Sequence, residues 1–160
     1  MSRDGISECF LSAICWIWSV RRSFLVDHNE RDQAADGIRS TNIIEIIDHH
    51  RIDSVETSGP IYFRNQPLGC TATIIYQMYQ ENHMEIDKTT AGLLCSAIIS
   101  DTLLFRSPTC TPIDKAAGLA LAQIAGLDIE KYAIDMFAAG SNLKGNPTVI
   151  FSTRISRDSR

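Results

Sequence analysis

The sequence lacks the features that mark membrane-spanning, secreted and nucleic-acid-binding proteins. No apolar run reaches the ~18 residues that a transmembrane helix needs. The nearest run, residues 9–20, follows two acidic residues and precedes Arg21-Arg22, which reverses the charge order of a signal peptide. The formal net charge of −4 shows no basic excess, so we predict that nucleic acid and membranes are not partners. The five cysteines form no Cys-x-x-Cys pair and predict reduced thiols in a cytoplasmic protein.

Short apolar runs alternate with helical patterns along the chain. Residues 24–26, 43–47 and 61–63 are rich in β-branched and aromatic side chains and predict three strands, of which we expect the first two to be buried and the third to be short. Residues 71–82, 89–100, 112–125 and 129–139 predict helices. Thr111 followed by Pro112 and Asp114 is a typical helix start. The alternation of strands and helices predicts an α/β fold with a parallel sheet.

Residues able to bind metal stand at the ends of these apolar elements. Asp27 follows the first run, Asp48-His49-His50 follows the second, and Asp101 follows the apolar helix predicted over residues 89–100. Ligands bind at the carboxyl ends of strands in open α/β sheets. Carboxylates suit hard divalent cations and imidazoles suit Mn, Fe, Co and Zn, so the mixed set is typical of a two-metal phosphoester hydrolase.

Each of these residues has a simpler interpretation when it is taken singly. Asp27 is typical of a residue that caps a loop, and an isolated His49 or His50 is typical of a hydrogen-bonded core histidine. Asp101 is typical of a turn residue, although a carboxylate at a helix C-terminus opposes the helix dipole and favours a nearby cation. The adjacent Asp-His-His therefore carries more weight than any single residue.

Four stretches carry a resemblance to a known family. They are Leu25-Val-Asp-His-Asn-Glu30, Ile47-Asp-His-His-Arg51, Gly69-Cys-Thr-Ala-Thr-Ile74, and residues 96–105 (SAIISDTLLF) with 107–111 (SPTCT). Together they resemble the manganese-dependent (family II) inorganic pyrophosphatases of the DHH phosphoesterase superfamily. The resemblance covers residues 24–143 as a DHH domain. We see no motif of the family in residues 1–23 and expect them to form an unmatched segment, and we expect residues 144–160 to form an unmatched, frayed tail.

The resemblance implies a fold and specific roles for the site residues. The implied fold is a Rossmann-like parallel sheet flanked by helices, here incomplete. Asp27 corresponds to the carboxylate that bridges two metals, and His49 and Asp101 correspond to ligands of one of them. His50 corresponds to a catalytic histidine beside the reacting water and substrate. Asp48 is expected to orient the neighbouring imidazoles.

The resemblance also implies the cofactor, substrate and assembly. Intact members bind two Mn²⁺ ions per site, with Co²⁺ or Mg²⁺ as substitutes. They hydrolyse pyrophosphate to two phosphates and are commonly homodimers. No substrate-binding residue of this chain matches the family pattern.

Two departures from the family limit what we expect of this chain. The family begins with a His-x-x-x-Asp-x-Asp motif that supplies ligands to both metals, but here no histidine precedes His28. The family also ends in a second domain whose Lys and Arg residues bind pyrophosphate, and the resemblance fades near Leu143. We therefore predict that at most one metal binds well and that the chain alone has little or no turnover.

Two other functions remain open from the sequence. One is a different DHH phosphoesterase that acts on polyphosphate or short oligonucleotides, although the acidic balance counts against oligonucleotides. The other is a non-catalytic fragment that binds a single metal ion. A substrate panel separates the first from a pyrophosphatase, and a metal titration tests the second.

Overall fold

A computed structural model describes residues 21–30, 34 and 36–140, and the chain divides into two compact units, Met1–Pro67 and Leu68–Arg160. Strands occur in the first unit and α-helices in the second among the described residues. The apolar run at residues 9–20 and the tail at residues 144–160 lie outside the described residues. Within the described part, no helix is long and apolar enough to cross a membrane.

The first unit contains a parallel sheet of three strands in the order β1-β2-β3. The strands are β1 (Arg22–Val26), β2 (Asn42–Asp48) and β3 (Tyr62–Asn65), with a 3-10 helix at Ile38–Ser40 before β2. Leu25 lies opposite Ile46, and Ile46 lies opposite Phe63. Because β1 and β2 run in parallel, their carboxyl ends lie side by side at one edge of the sheet.

The core of this unit is a small apolar cluster built on β1 and β2. Leu25, Ile43 and Ile46 are buried, and Ile38, Val55 and Ile61 pack against them. The three predicted strands are confirmed, but the prediction that residues 24–26 are all buried is wrong. Phe24 is 61% exposed and Val26 47% exposed, because alternate side chains of a strand point to opposite faces and only Leu25 faces this core.

The described part of the second unit, up to residue 140, contains four helices. They are α1 (Thr71–Glu81), α2 (Lys88–Thr102), α3 (Pro112–Ala125) and α4 (Ile129–Gly140). Their small and apolar side chains, among them Cys95, Ile98, Ile99 and Leu121, form one buried cluster. All four predicted helices are confirmed, and α2 continues through Asp101 to Thr102.

The helix α3 begins and ends where its sequence predicts. The Thr111 side chain accepts a hydrogen bond from the Asp114 backbone, and the Asp114 side chain accepts one from the Thr111 backbone, so the two form a capping box. Pro112 occupies the first turn, where its missing N–H costs no helical hydrogen bond. Gly126 ends the helix in the left-handed region, with φ of 73°.

Asp114 also joins α3 to the start of α1. This side chain is fully buried, and its two carboxylate oxygens accept hydrogen bonds from the Gly69 backbone (2.8 Å), Thr73 Oγ1 (2.6 Å) and Thr111. Burial raises the pKa of Asp114, but these hydrogen bonds outweigh it, and the net effect holds the pKa below its usual range. The carboxylate is therefore ionised at neutral pH.

A left-handed turn follows α2. Leu103, Leu104 and Phe105 have φ values of 49°, 53° and 64°, a conformation that costs apolar residues about 1–2 kcal/mol each. Hydrogen bonds from Leu104 N to Ile99 O (3.0 Å) and from Phe105 N to Thr102 Oγ1 (3.1 Å) hold the turn. The turn places the Phe105 ring against Gly118 of α3, where an added Cβ would lie 2.8 Å from the ring.

We predict that Asp114→Asn lowers the free energy of unfolding by about 3 kcal/mol at pH 7, because an NH₂ group would face buried donors. Since the folded-state pKa is lowered, the stabilisation by Asp114 is present above about pH 4 and is lost as the pH falls through that lowered value. Urea denaturation at several pH values measures both effects. The matched control is Asp135→Asn, at an exposed position of α4. A loss of equal size at pH 7 and pH 3 would contradict the assignment.

We predict opposite effects for alanine at two glycines in the middle of helices. Gly118→Ala should lower the unfolding free energy by about 1 kcal/mol, because overpacking against Phe105 outweighs the better helix propensity. Gly92→Ala in α2 should raise it by about 0.5–1 kcal/mol, since its Cβ would meet only Ala125 Cβ at 3.9 Å. Urea denaturation of the two variants measures the sign of each change in unfolding free energy. A higher unfolding free energy in Gly118→Ala would show that the Phe105 ring moves to make room for the added methyl group.

Candidate metal centre

The pairing of β1 with β2 positions the residues that could bind a metal. Asp27 follows β1 directly and adopts a left-handed backbone (φ 68°), while its N–H donates to Ile47 O at 3.0 Å. His49 and His50 follow β2 directly. The sheet therefore presents one carboxylate and two imidazoles at the same edge, where parallel sheets bind their ligands.

Asp27, His49 and His50 form a compact group of donor atoms. One ligand atom from each lies within 4.8 Å of the others, and His49 Nε2 is 3.5 Å from Asp27 Oδ1. The two imidazole rings are 4.1 Å apart between centroids and tilted by 55°. The Asp27 side chain is 54% exposed, so an ion can reach the group from solvent. One carboxylate and two imidazoles are a donor set that fits manganese.

Asp48 forms hydrogen bonds with both histidines. Its side chain is fully buried, and Oδ1 accepts hydrogen bonds from the backbone N–H groups of His49 (2.8 Å) and His50 (3.2 Å) and lies 2.8 Å from His50 Nδ1. An ionised carboxylate only accepts hydrogen bonds, so Nδ1 of His50 carries the proton. The Nε2 atom of a neutral His50 then holds the free lone pair.

The surroundings of Asp48 keep it ionised. Burial raises its pKa, but hydrogen bonds from the His50 ring, from Asn29 and from the two backbone N–H groups lower it, and the net shift is downward. The charge that results stabilises an N–H at Nδ1 of His50. Asp48 is therefore placed to orient the His50 imidazole, and its predicted role of orienting both imidazoles stays a prediction.

Asn29 is a residue of the site that the sequence interpretation missed. It is only 2% exposed, and its Nδ2 donates to Asp48 Oδ2 (2.6 Å) and to Arg51 O (2.8 Å). Its Oδ1 accepts from Asp53 N (3.2 Å). The sequence interpretation gave Asn29 no role, although it stands two residues after Asp27 in one of the stretches that resemble the family.

A shallow cleft of ≈ 220 Å³ lies beside the group and is lined by Asn29, Glu30, His50 and Arg51. The Arg51 guanidinium contacts Glu30 (3.3 Å) and Asp53 (3.2 Å), and its side chain is 78% exposed. Exposed ion pairs of this kind contribute about 0–1 kcal/mol. The cleft therefore adjoins the exposed His50 ring without a strongly fixed cation.

The structure brings together three of the predicted site residues, Asp27, His49 and His50, with Asp48 directly behind them. Asp101 lies in the second unit, exposed on the last turn of α2. Its assignment as a metal ligand therefore stays a prediction. His50, predicted as catalytic, lies close enough to Asp27 and His49 to share an ion with them.

Comparison with known proteins gives consistent matches. "Probable manganese-dependent inorganic pyrophosphatase" of Bacillus cereus (strain AH187) is 59% identical over 121 residues, which are 76% of this chain and 39% of that protein. The protein of the same name from Bacillus mycoides (strain KBAB4) is 58% identical over the same share of each chain. The chain thus spans about two fifths of the length of these relatives.

A solved structure and a family model agree with these relatives. The crystal structure of the Methanococcus jannaschii "putative family II inorganic pyrophosphatase" matches 74% of this chain and 41% of that chain, with a TM-score of 0.69 and 40% identity. The predicted α/β fold and the predicted resemblance are confirmed. The model of the DHH family, N-terminal domain, matches residues 8–98, which is more than half of the 160 residues. The chain belongs to the DHH family.

Proposed function

We propose that this chain is the metal-binding DHH domain of a manganese-dependent inorganic pyrophosphatase. The observation that carries the proposal is the convergence of Asp27, His49 and His50 at adjacent strand ends, with ligand atoms within 4.8 Å of one another. The names of the relatives from Bacillus add the metal and the reaction. The three donors suffice for one Mn²⁺ ion, and Asp101 is proposed as a further ligand.

The proposed roles follow from the chemistry of each side chain. A bound divalent ion neutralises phosphate charge and activates water. Asp27 offers an exposed carboxylate oxygen, and His49 offers its Nε2 atom, 3.5 Å away. His50 is held by Asp48 through Nδ1, which leaves Nε2 to accept a proton or, when protonated, to donate to a phosphate oxygen.

Pyrophosphate is the substrate that we propose, and polyphosphate or a short oligonucleotide is the alternative. The names of the relatives favour pyrophosphate, and the net charge of −4 disfavours oligonucleotides. We also propose a cytoplasmic location, which the free thiols of Cys70, Cys95 and Cys110 support. A homodimer stays a proposal from the family resemblance.

We predict that the chain binds one Mn²⁺ ion and that Asp27→Ala or His49→Ala abolishes this binding. The site offers three donor side chains, and two remaining donors would be too few to replace the water molecules bound to the ion. Isothermal titration calorimetry and the Mn²⁺ EPR signal measure stoichiometry and affinity. Asp135→Ala and His83→Asn, both at exposed positions of the second unit, are the matched controls. Unchanged Mn²⁺ binding in Asp27→Ala would refute the site.

We predict that phosphate release from pyrophosphate by this chain with Mn²⁺ is far slower than that by the full-length relative from Bacillus cereus. The reason is that the donors in the described first unit serve one ion, whereas two-metal hydrolysis places an ion on both the attacking and the leaving oxygen. A colorimetric phosphate assay with pyrophosphate, tripolyphosphate and a short oligonucleotide measures this. Turnover equal to that of the relative would overturn the single-ion proposal, and a preference for another substrate would favour the alternative.

A further inference from the structure

We propose that Asn29 is a positioning residue that locks the Asp48–His50 pair and thereby orients the metal-binding edge of the sheet. This inference rests on the proposed metal site but concerns a residue to which no role has been given. Asn29 is 2% exposed, lies in the loop that follows β1, and hydrogen-bonds to Asp48 at the end of β2 and to Arg51 and Asp53 in the loop that follows β2.

The hydrogen-bond partners of Asn29 fix the orientation of its amide. Its Nδ2 lies 2.6 Å from Asp48 Oδ2 and 2.8 Å from Arg51 O, and both of these atoms are acceptors. Its Oδ1 lies 3.2 Å from Asp53 N, which is a donor. A flipped amide would turn all three contacts into acceptor–acceptor or donor–donor pairs, so only one orientation is satisfied.

The two oxygens of Asp48 have separate partners. Oδ1 accepts the His49 and His50 backbone N–H groups and the His50 ring N–H. Asn29 donates to Oδ2. Because Asp48 is fully buried, removing the amide would strip Oδ2 of its donor and release the carboxylate to rotate. The His50 ring would then lose the fixed acceptor that holds its proton at Nδ1.

Asn29 also connects the loop after β1, which contains Asp27, to the loop after β2, which contains His49 and His50. Its contacts reach Arg51 and Asp53, 22 and 24 residues further along the chain. The Arg51–Glu30 ion pair joins the same two loops, but its exposure makes it a weak tie. The buried amide of Asn29 connects the two loops more strongly than this ion pair does. Mutation of residues that hydrogen-bond to metal ligands typically changes metal affinity 10- to 100-fold.

The test uses two substitutions that keep the size of the side chain. Asn29→Leu removes all three hydrogen bonds, and Asn29→Asp replaces the Nδ2 donor by an oxygen that faces two acceptors. Asn82→Leu is the matched control, because Asn82 also donates through Nδ2, to Met78 O at the end of α1 in the other unit. Urea denaturation checks the folding of each variant.

Two readouts separate positioning from stability. Calorimetric Mn²⁺ titration should show a 10- to 100-fold weaker Kd in both Asn29 variants and no change in Asn82→Leu. In metal-free protein at alkaline pH, ¹⁵N NMR should show His50 as the Nδ1–H tautomer in the wild type and as a mixture in Asn29→Leu.

Each outcome decides the proposal. A folded Asn29→Leu chain with unchanged Mn²⁺ affinity and an unchanged His50 tautomer would overturn it. If the wild type binds no Mn²⁺, the proposed function fails, but the tautomer measurement still decides whether Asn29 positions His50. If Asn29→Leu does not fold, Asn29→Ala, which is smaller and also removes all three hydrogen bonds, replaces it, and a wild-type tautomer and affinity in that chain would count against the proposal.

Discussion

The buried Asp48 carboxylate is the constraint on which the candidate centre depends. A carboxylate without solvent exposure stays charged only when hydrogen bonds replace the lost water, and here backbone, imidazole and amide donors do so. The same hydrogen bonds order the backbone that follows β2. The charge, the loop and the histidine orientation therefore depend on one another, and disturbing one of them disturbs the others.

The second unit uses a buried carboxylate in a similar way. Asp114 accepts hydrogen bonds from the starts of α1 and α3, as Asp48 does from the loops after β1 and β2. In both cases the donors include backbone N–H groups at the beginning or end of a regular element, which lack partners within that element. Gly69 is thereby fixed in position by a side chain 45 residues away, whereas the His49 backbone is fixed by the side chain of its neighbour Asp48.

Local sequence patterns predicted the elements of this fold but not the contacts between them. Thr111, Pro112 and Asp114 define a helix start by their spacing alone, and the structure places the helix there. The partners of Asn29 lie 19 to 24 residues away, and those of Asp114 at Gly69 and Thr73 lie 41 to 45 residues away. No local propensity encodes such pairs, because tertiary packing determines them.

The candidate site was predictable to a similar extent. Adjacent strand ends in a parallel sheet predicted that Asp27 would meet His49 and His50, and they do meet. The burial of the first strand was not predictable, because three consecutive apolar residues do not show which faces of the strand are covered. The left-handed turn at Leu103–Phe105 was equally hidden, since apolar residues rarely adopt it and tertiary contacts hold it.

The two histidines of the Asp-His-His triplet make different contacts because their neighbours differ. Consecutive side chains after a strand tend to diverge, yet both rings here face Asp27 and are tilted by 55° to one another. His50 is turned toward the group by its bond to Asp48, whereas His49 meets Asp27 directly. Both oxygens of the triplet's aspartate are thus engaged by hydrogen bonds, Oδ1 with the two histidines and Oδ2 with Asn29.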